Sequence, residues 1–106
     1  MKRGTVIWVD LSDAHPPEMG KLRPAVIVSG DVHNALLDTV VVVPTSSLAP
    51  EILPLRVRVG VFSGKENFAV VLGLRQVSKR RLRGTLGNLS AARLATLDAS
   101  VRAYLG

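Results

Sequence analysis

The chain has 106 residues, a length that suits one domain, and we expect residues 1–106 to form it. Fourteen lysines and arginines against eight acidic residues give a net charge of +6, which favours nucleic acid or an acidic protein segment as partner. The absence of cysteine excludes a disulfide framework, a thiolate nucleophile and a cysteine-ligated metal. The chain start resembles no signal peptide, and no apolar run reaches about 20 residues, so we expect a cytoplasmic protein without a membrane partner.

Short β-branched runs bounded by turn residues predict a mainly β protein. These runs are residues 5–9, 24–29, 40–43, 53–59 and 68–72. The run VVVV at 40–43 has no polar alternation, so a barrel or a dimer interface should cover both of its faces. Pro24 is expected at the first position of its strand, where a missing N–H is tolerated. Along 53–59, apolar residues alternate with arginines, which indicates a strand with an open arginine face.

Near the C-terminus the spacing of apolar residues changes from that of a strand to that of a helix, and Ser90 is a suitable helix N-cap. The apolar residues that follow recur at helical spacing and define one face: Leu94, Leu97, Val101 and Leu105. Five or six strands followed by one helix predict a small barrel rather than a parallel sheet. The four aromatic residues are too few for a base-stacking platform, and Trp8 is expected in the core or an interface.

Few kinds of chemistry are available to this sequence. It contains no phosphate-binding Walker loop and no dinucleotide glycine fingerprint. His15 and His33 are too isolated for a histidine-rich metal site, so we expect neither metal nor cofactor. RNA carries its own nucleophile, the 2′-hydroxyl, and its cleavage requires only positioning and charge stabilisation.

Arg23 stands where a loop meets a buried strand, and its guanidinium suits stabilisation of a phosphorus transition state. The alternative is a surface ion pair with Glu18 or Asp31. Hydroxyl groups that could donate to the same phosphate follow the VVVV strand, at Thr45, Ser46 and Ser47.

The segment RQVSKRRLR at 75–83 places five cations in nine residues. It suits a track for RNA phosphates, which would include Arg75 and Lys79. A solvated charged surface is the other interpretation.

Several motifs together resemble the MazF/PemK toxins of bacterial toxin–antitoxin systems. They are RGxxxWVDL, a loop ending in ExGxxRP, an aliphatic strand closing in SxDxxN, then TVVVVPTSS and LGNLSxxxLxxLDxxV, from Arg3 to Leu105. The resemblance implies an SH3-like barrel with a C-terminal helix, acting as a homodimer. It also implies a metal-independent, sequence-selective endoribonuclease that cleaves single-stranded RNA, leaving a 2′,3′-cyclic phosphate and a 5′-hydroxyl. An acidic antitoxin would occupy the same basic groove.

On this resemblance, Arg23 matches the catalytic arginine of the family, and Glu18 and Gly20 match the loop before it. Anchoring on Pro44 places Ser46 at the position of the active-site threonine, with Thr45 as the second choice. Glu18 and His15 are the two candidate general bases. The remaining expected substrate contacts are Thr45, Ser47, His15, Lys21, Gly20, Arg75 and Lys79.

The sequence departs from the family pattern at two places: Met19 replaces the usual Gln, and Leu72-Gly73 replaces an acidic-Gln pair. An altered base-reading pocket is therefore expected. Two alternative functions stay open, a toxin that binds DNA gyrase without hydrolysis, as CcdB-like barrels do, and a nucleic-acid-binding module with weakened catalysis.

Overall fold

A computed structural model of the protein describes residues 1–48 and 50–106. Its strands and helices are β1 (Thr5–Asp10), β2 (Leu22–Ile27), α1 (Asp31–Leu36), β3 (Thr39–Ser46), β4 (Arg56–Phe62), β5 (Lys65–Val70), β6 (Arg75–Ser78), β7 (Leu82–Asn88) and α2 (Ala91–Leu105). Two short 3₁₀ helices, Val71–Gly73 and Lys79–Arg81, precede and follow β6.

All strand pairings are antiparallel, in the order β4-β5-β3-β2-β1-β7, and β3 is the hub. One edge of β3 pairs with β2, while the other pairs first with β6 and then, from Thr45, with β5. This change of partner curls the sheet into a half-barrel. The predicted class, a mainly β barrel-like fold with a C-terminal helix, is confirmed.

The predicted count of five or six strands is too low. Strands β6 and β7 lie in segment 75–88, where seven positions are basic or glycine and no regular apolar alternation marks them. Pairing with β3 and β1, rather than local pattern, makes these segments strands.

The strand boundaries also shift. β2 begins at Leu22, so Pro24 is its third residue rather than its first. The run 53–59 becomes strand only at Arg56, because residues 53–55 form a turn closed by the bridge between Ile52 and Arg56. Its predicted pattern holds from there: Val57 and Val59 are buried, and Arg58 is exposed.

The central strands bury both of their faces, in two hydrophobic clusters. The first combines Val6, Val26 and Val43 with residues of β4, β5 and α2. The second contains Ile7, Val9, Leu11, Ala25, Ile27, Val40, Val42 and Val77. Neighbouring residues of each strand enter different clusters because side chains alternate between the faces of a sheet. As predicted, the VVVV strand is covered on both sides, with only Val41 partly exposed.

Helix α1 was not predicted. It is held by Asn34, which is 2 % exposed, donates to the Ser29 carbonyl (2.8 Å) and accepts from the Ser29 hydroxyl. The Ser29 hydroxyl in turn accepts from the N–H of Val41 on β3 (3.0 Å). Ser29 and Asn34 of the SxDxxN motif therefore attach α1 to the sheet, and His33 is exposed on this helix.

The predicted terminal helix and its cap are confirmed, since the Ser90 hydroxyl accepts from the N–H of Arg93. Leu97 is fully buried against the first cluster, and Val101 packs at its edge. Leu105, predicted on the same face, is 64 % exposed because it is the last helical residue. Among the described residues, no helix is long and apolar enough to cross a membrane.

Replacing Asn34 by Ala should lower the free energy of unfolding by about 1–3 kcal/mol, because the partly buried hydroxyl and carbonyl of Ser29 would lose their partner. His33→Ala, one residue earlier and exposed, should change it by less than about 0.5 kcal/mol. Urea unfolding followed by circular dichroism measures both. Equal effects of the two variants would contradict this role of Asn34.

Candidate active site

A cavity of about 360 Å³ opens where β1, β2 and β3 meet the β4–β5 hairpin. We call it the arginine cavity. Its lining residues are Trp8, Arg23, Pro24, Thr45, Ser46, Ser47, Phe62, Ser63, Lys65 and Asn67. It therefore brings together the predicted arginine and all three predicted hydroxyl residues.

The backbone of β2 explains the orientation of Arg23. The Val28 N–H donates to the Val41 carbonyl (2.9 Å), and this antiparallel pattern repeats at every second residue, so residue 24 would donate to the Thr45 carbonyl. Pro24 has no N–H. Instead, Nη1 of Arg23 donates to the Thr45 carbonyl (3.1 Å), and its Nε donates to the Gly20 carbonyl (2.9 Å).

Arg23 is half-buried and keeps free donors. A guanidinium has five N–H groups, and the two backbone carbonyls occupy two of them. The alternative ion pair with Glu18 or Asp31 is not formed: within residues 1–48 and 50–106, Arg23 has no acidic partner, and Asp31 accepts from the Arg3 N–H (2.7 Å). The cavity thus holds an oriented cation whose charge no carboxylate neutralises.

The hydroxyl groups beside Arg23 differ in availability. Thr45 is 1 % exposed, and its hydroxyl lies 2.9 Å from the Pro24 carbonyl and 3.0 Å from Oδ1 of Asn67. Ser46 is partly exposed, and its oxygen accepts from the N–H of Leu48 (3.1 Å), while its hydroxyl hydrogen has no acceptor within residues 1–48 and 50–106. Ser47 is exposed.

The far wall of the arginine cavity is the β4–β5 hairpin, which our sequence reasoning missed. Ser63 and Gly64 both have positive φ (55° and 76°), as a two-residue type I′ turn requires. The Phe62 ring lies against Gly60 and Gly87, where an added Cβ would sit 3.4 Å and 3.2 Å from it. The Ser-Gly pair between two strands was the available signal for this hairpin.

Other lining residues were also missed as site residues. Trp8 was expected in the core or an interface, yet it is partly exposed and lines the cavity. Asn67 is 4 % exposed and holds the hairpin by donating to the carbonyls of Phe62 (3.0 Å) and Lys65 (2.8 Å). Lys65 adds an exposed cation. No local pattern marks Trp8 and Asn67, because their place depends on strand pairing.

The β1–β2 loop carries four predicted residues. His15, Glu18 and Lys21 are exposed, and a turn joins the first two, with the Glu18 N–H donating to the His15 carbonyl (2.8 Å). Lys21 has a positive φ of 71°. Gly20 contributes the carbonyl that holds Arg23. Of these four residues, none lines the arginine cavity.

Glu18 and Arg75 instead line a second cavity of about 270 Å³, with Pro17, Met19, Val70, Leu72, Gly73 and Leu74. The two departures from the family pattern meet here. A Cβ at Gly73 would lie 2.7 Å from the Pro44 ring and 3.2 Å from the Met19 sulfur. Gly73 therefore makes room for Met19, and the two unusual residues fit each other.

The basic segment 75–83 is not an open track of free cations. Asp13 pairs with Arg75 (3.4 Å) and Arg81 (3.1 Å), and Asp10 pairs with Arg83 (3.2 Å). Lys79 donates to the Asn34 carbonyl and lines a separate recess with Asp38, Ser78 and Arg80. The structure thus places Lys79 away from Arg23 and pairs three of the five cations with carboxylates.

Asp10 has a pKa below its ordinary range. The main cause is hydrogen bonding to Ser12, whose N–H donates to Oδ1 (2.9 Å), and the charges of Arg83 and Arg81 lower the pKa further. At neutral pH Asp10 is ionised, and its carboxylate holds the start of the β1–β2 loop by accepting from the Ser12 N–H and pairing with Arg83.

The chain belongs to the family of PemK-like, MazF-like toxins of type II toxin–antitoxin systems, whose family model matches residues 2–105. It is similar to endoribonuclease MazF9 of Mycobacterium tuberculosis, with 32% identity over 113 residues that cover 99% of this chain and 96% of that protein.

Solved structures share the fold. The MazF structure from Deinococcus radiodurans superposes with a TM-score of 0.87 at 22% identity, covering 100% of this chain and 96% of the other. A mycobacterial endoribonuclease in complex with its cognate antitoxin superposes with a TM-score of 0.82 at 23% identity, covering 100% of this chain and 95% of the other.

Thr45→Val should lower the free energy of unfolding by about 1–3 kcal/mol, because its buried hydroxyl bonds to β2 and β5 would be lost. Ser46→Ala should change it by less than about 0.5 kcal/mol, since this hydroxyl is partly exposed. Urea unfolding at neutral pH measures both. A larger loss in Ser46→Ala than in Thr45→Val would reverse the two assignments.

Stability should also depend on Asp10 in acid. Because its pKa is lower in the folded state, its contribution is present above the unfolded value of about 4 and is lost as pH falls through the folded pKa. Asp10→Asn should therefore show a weaker loss of melting temperature between about pH 5 and pH 2 than the unaltered protein. Asp38→Asn, an exposed carboxylate without a side-chain hydrogen bond among the described residues, serves as the control.

Proposed function

We propose that this chain is an endoribonuclease toxin that cleaves single-stranded RNA at selected sequences in the arginine cavity. The observation that carries the proposal is Arg23, a half-buried cation with free donors and no acidic partner in the described part of the chain. The family membership and the named endoribonuclease relative support the same function.

In the proposed reaction the RNA 2′-oxygen attacks the adjacent phosphorus. A bond forms between the 2′-oxygen and phosphorus, and the bond from phosphorus to the 5′-oxygen breaks. The 2′-hydroxyl loses its proton and the 5′-oxygen gains one, which leaves a 2′,3′-cyclic phosphate and a 5′-hydroxyl. Arg23 stabilises the negative charge that grows on the phosphoryl oxygens, where its remaining N–H groups supply paired donors.

Hydroxyl groups assist at the same phosphate. Ser46 donates its uncommitted hydroxyl hydrogen to a phosphoryl oxygen, while Thr45, bonded to β2 and β5, fixes the strand beneath it. Ser47 and Lys65 lie at the exposed margin and contact neighbouring phosphates. Trp8 offers an aromatic surface to an unpaired base.

The β1–β2 loop completes the proposed site. Glu18 and His15 are the candidate proton acceptors for the 2′-hydroxyl, and their turn places them together on the exposed surface of the loop. Arg75 contributes positive charge at the second cavity, which receives a base next to the cleaved phosphate, and Lys21 adds an exposed cation on the loop. In this scheme Gly20 acts through its carbonyl on Arg23.

We further propose that one domain, residues 1–106, functions as a homodimer in the cytoplasm and is inhibited by an acidic antitoxin. The net charge of +6 complements such a partner. A structural neighbour was solved with its cognate antitoxin, which supports a similar complex for this chain.

Incubation of the purified protein with a long RNA of known sequence in EDTA tests the reaction. Discrete cuts with cyclic-phosphate ends are expected. Arg23→Ala should cut at least about 100-fold more slowly, because a group that stabilises the transition state is lost. Ser46→Ala should cut about tenfold more slowly, because one hydrogen bond from a hydroxyl to a charged phosphoryl oxygen contributes about 1.5 kcal/mol.

Arg102→Ala is the matched control, since it removes an exposed arginine on α2 far from the cavity. It should cut at the rate of the unaltered protein. Intact RNA after incubation with folded, unaltered protein across a broad set of sequences would refute the proposed activity.

A further inference from the structure

Asp13 lies between two arginines of the basic segment. Its Oδ2 atom accepts a hydrogen bond from Nη2 of Arg75 (3.4 Å) and forms an ion pair with Nη2 of Arg81 (3.1 Å). The Asp13 side chain is 40% exposed, and those of the arginines are 26% and 34% exposed. One carboxylate oxygen therefore links the β1–β2 loop to β6 and to the 3₁₀ helix after it.

The Asp13 carboxylate neutralises only one of the two positive charges and leaves a donor of Arg75 unpaired among the described residues. Two guanidinium groups carry one more positive charge than Asp13 neutralises. Nη1 of Arg75 is buried and has no hydrogen-bond partner within residues 1–48 and 50–106. Leaving such a donor unpaired is unfavourable. The Arg75–Arg81 pair can therefore hold more anionic oxygens than one Asp13 oxygen provides.

The location of this pair suits an extended anionic chain. Arg75 is paired with Val42 on β3, three residues before Thr45, which corresponds to about 10 Å along the strand. It also borders the second cavity, beside the loop that carries Glu18. A strand of RNA whose cleaved phosphate lies at Arg23 reaches the Arg75–Arg81 pair along the same surface.

We infer that Arg75 and Arg81 form a separate phosphate-binding site, which Asp13 occupies in the free protein and an RNA phosphodiester takes over on binding. The two non-bridging oxygens of a phosphodiester offer one acceptor to each Nη2 group, whereas a single Oδ2 atom of Asp13 serves both arginines. This inference extends the proposed function, because it names the groove that carries the RNA beyond the cleaved bond.

Displacement of Asp13 has a measurable consequence. The unaltered protein must break two exposed ion pairs before the RNA phosphate binds, whereas Asp13→Asn need not. Each such pair contributes modestly, so the variant should bind about three- to tenfold more tightly at low salt. Its plot of log affinity against log salt should be steeper by about 0.7, the value for one more counterion released from a single strand.

The test uses the full chain and a fluorescent 2′-O-methyl RNA oligonucleotide, whose blocked nucleophile prevents cleavage. Fluorescence anisotropy across a salt series gives affinity and slope. Because this readout needs no cleavage, it remains informative if ordinary RNA stays intact and the proposed nuclease activity fails. Asp98→Asn is the matched control, since it removes the same charge and breaks the ion pair with Arg3 (2.6 Å) on another surface.

We expect Asp13→Asn to bind the RNA probe more tightly than the unaltered protein, and Asp98→Asn to bind it with unchanged affinity. In an Arg75→Gln/Arg81→Gln background, adding Asp13→Asn should not increase the affinity. Unchanged or weaker binding by folded Asp13→Asn overturns the inference, as does an equal gain in Asp98→Asn. A gain for oligoglutamate but not for the RNA probe assigns the site to an acidic peptide and also overturns it.

If Asp13→Asn fails to fold, the salt dependence of RNA binding by the Arg75→Gln/Arg81→Gln protein tests the inference by itself. Loss of this one phosphate contact should make its salt slope shallower by about 0.7. An unchanged slope contradicts the inference.

Discussion

The site depends on one missing hydrogen-bond donor. Because Pro24 has no N–H, the ladder between β2 and β3 leaves the Thr45 carbonyl to be satisfied by another group, and the Arg23 guanidinium supplies the donor. The same contact fixes the arginine beside Ser46, at the end of the strand that passes through the centre of the sheet. A constraint of backbone chemistry therefore positions the group that carries the proposed catalysis.

Two layers of charge surround this position. Among the described residues, the Arg23 guanidinium is held by the carbonyl oxygens of Gly20 and Thr45 and by no carboxylate, so its charge stays available to a ligand. Further out, on β6, on β7 and on the 3₁₀ helix between them, arginines are paired with Asp10 and Asp13. The net charge of the protein thus overstates the number of free cations, and the carboxylates at the end of β1 and in the β1–β2 loop determine which of these arginines are paired.

The class of fold and the terminal helix followed from local signals, namely β-branched runs and a helical period with a serine cap. The choice of Ser46 as the hydroxyl beside Arg23 followed from the family resemblance. The β4–β5 wall, helix α1 and strands β6 and β7 did not, because pairing between distant segments creates them. Trp8 is an example of a cavity residue that local sequence does not identify. Its type and neighbours suit a core, and only its register opposite Pro24 brings it to the cavity. Likewise, partners such as Asp13 are set by a loop path that sequence spacing does not encode.

The burial of both faces of β1, β2 and β3 has a consequence for folding fidelity. In a sheet with one wet face, a slip of one residue exposes the apolar set and is strongly disfavoured. Here a slip would exchange one set of valines and isoleucines for another, so hydrophobicity discriminates poorly between alignments. The correct strand register is therefore selected by side-chain hydrogen bonds between strands, such as Thr45 with Asn67 and Thr5 with Asn88 (3.1 Å). Residues that look incidental to the core thus select the single alignment in which the cavity exists.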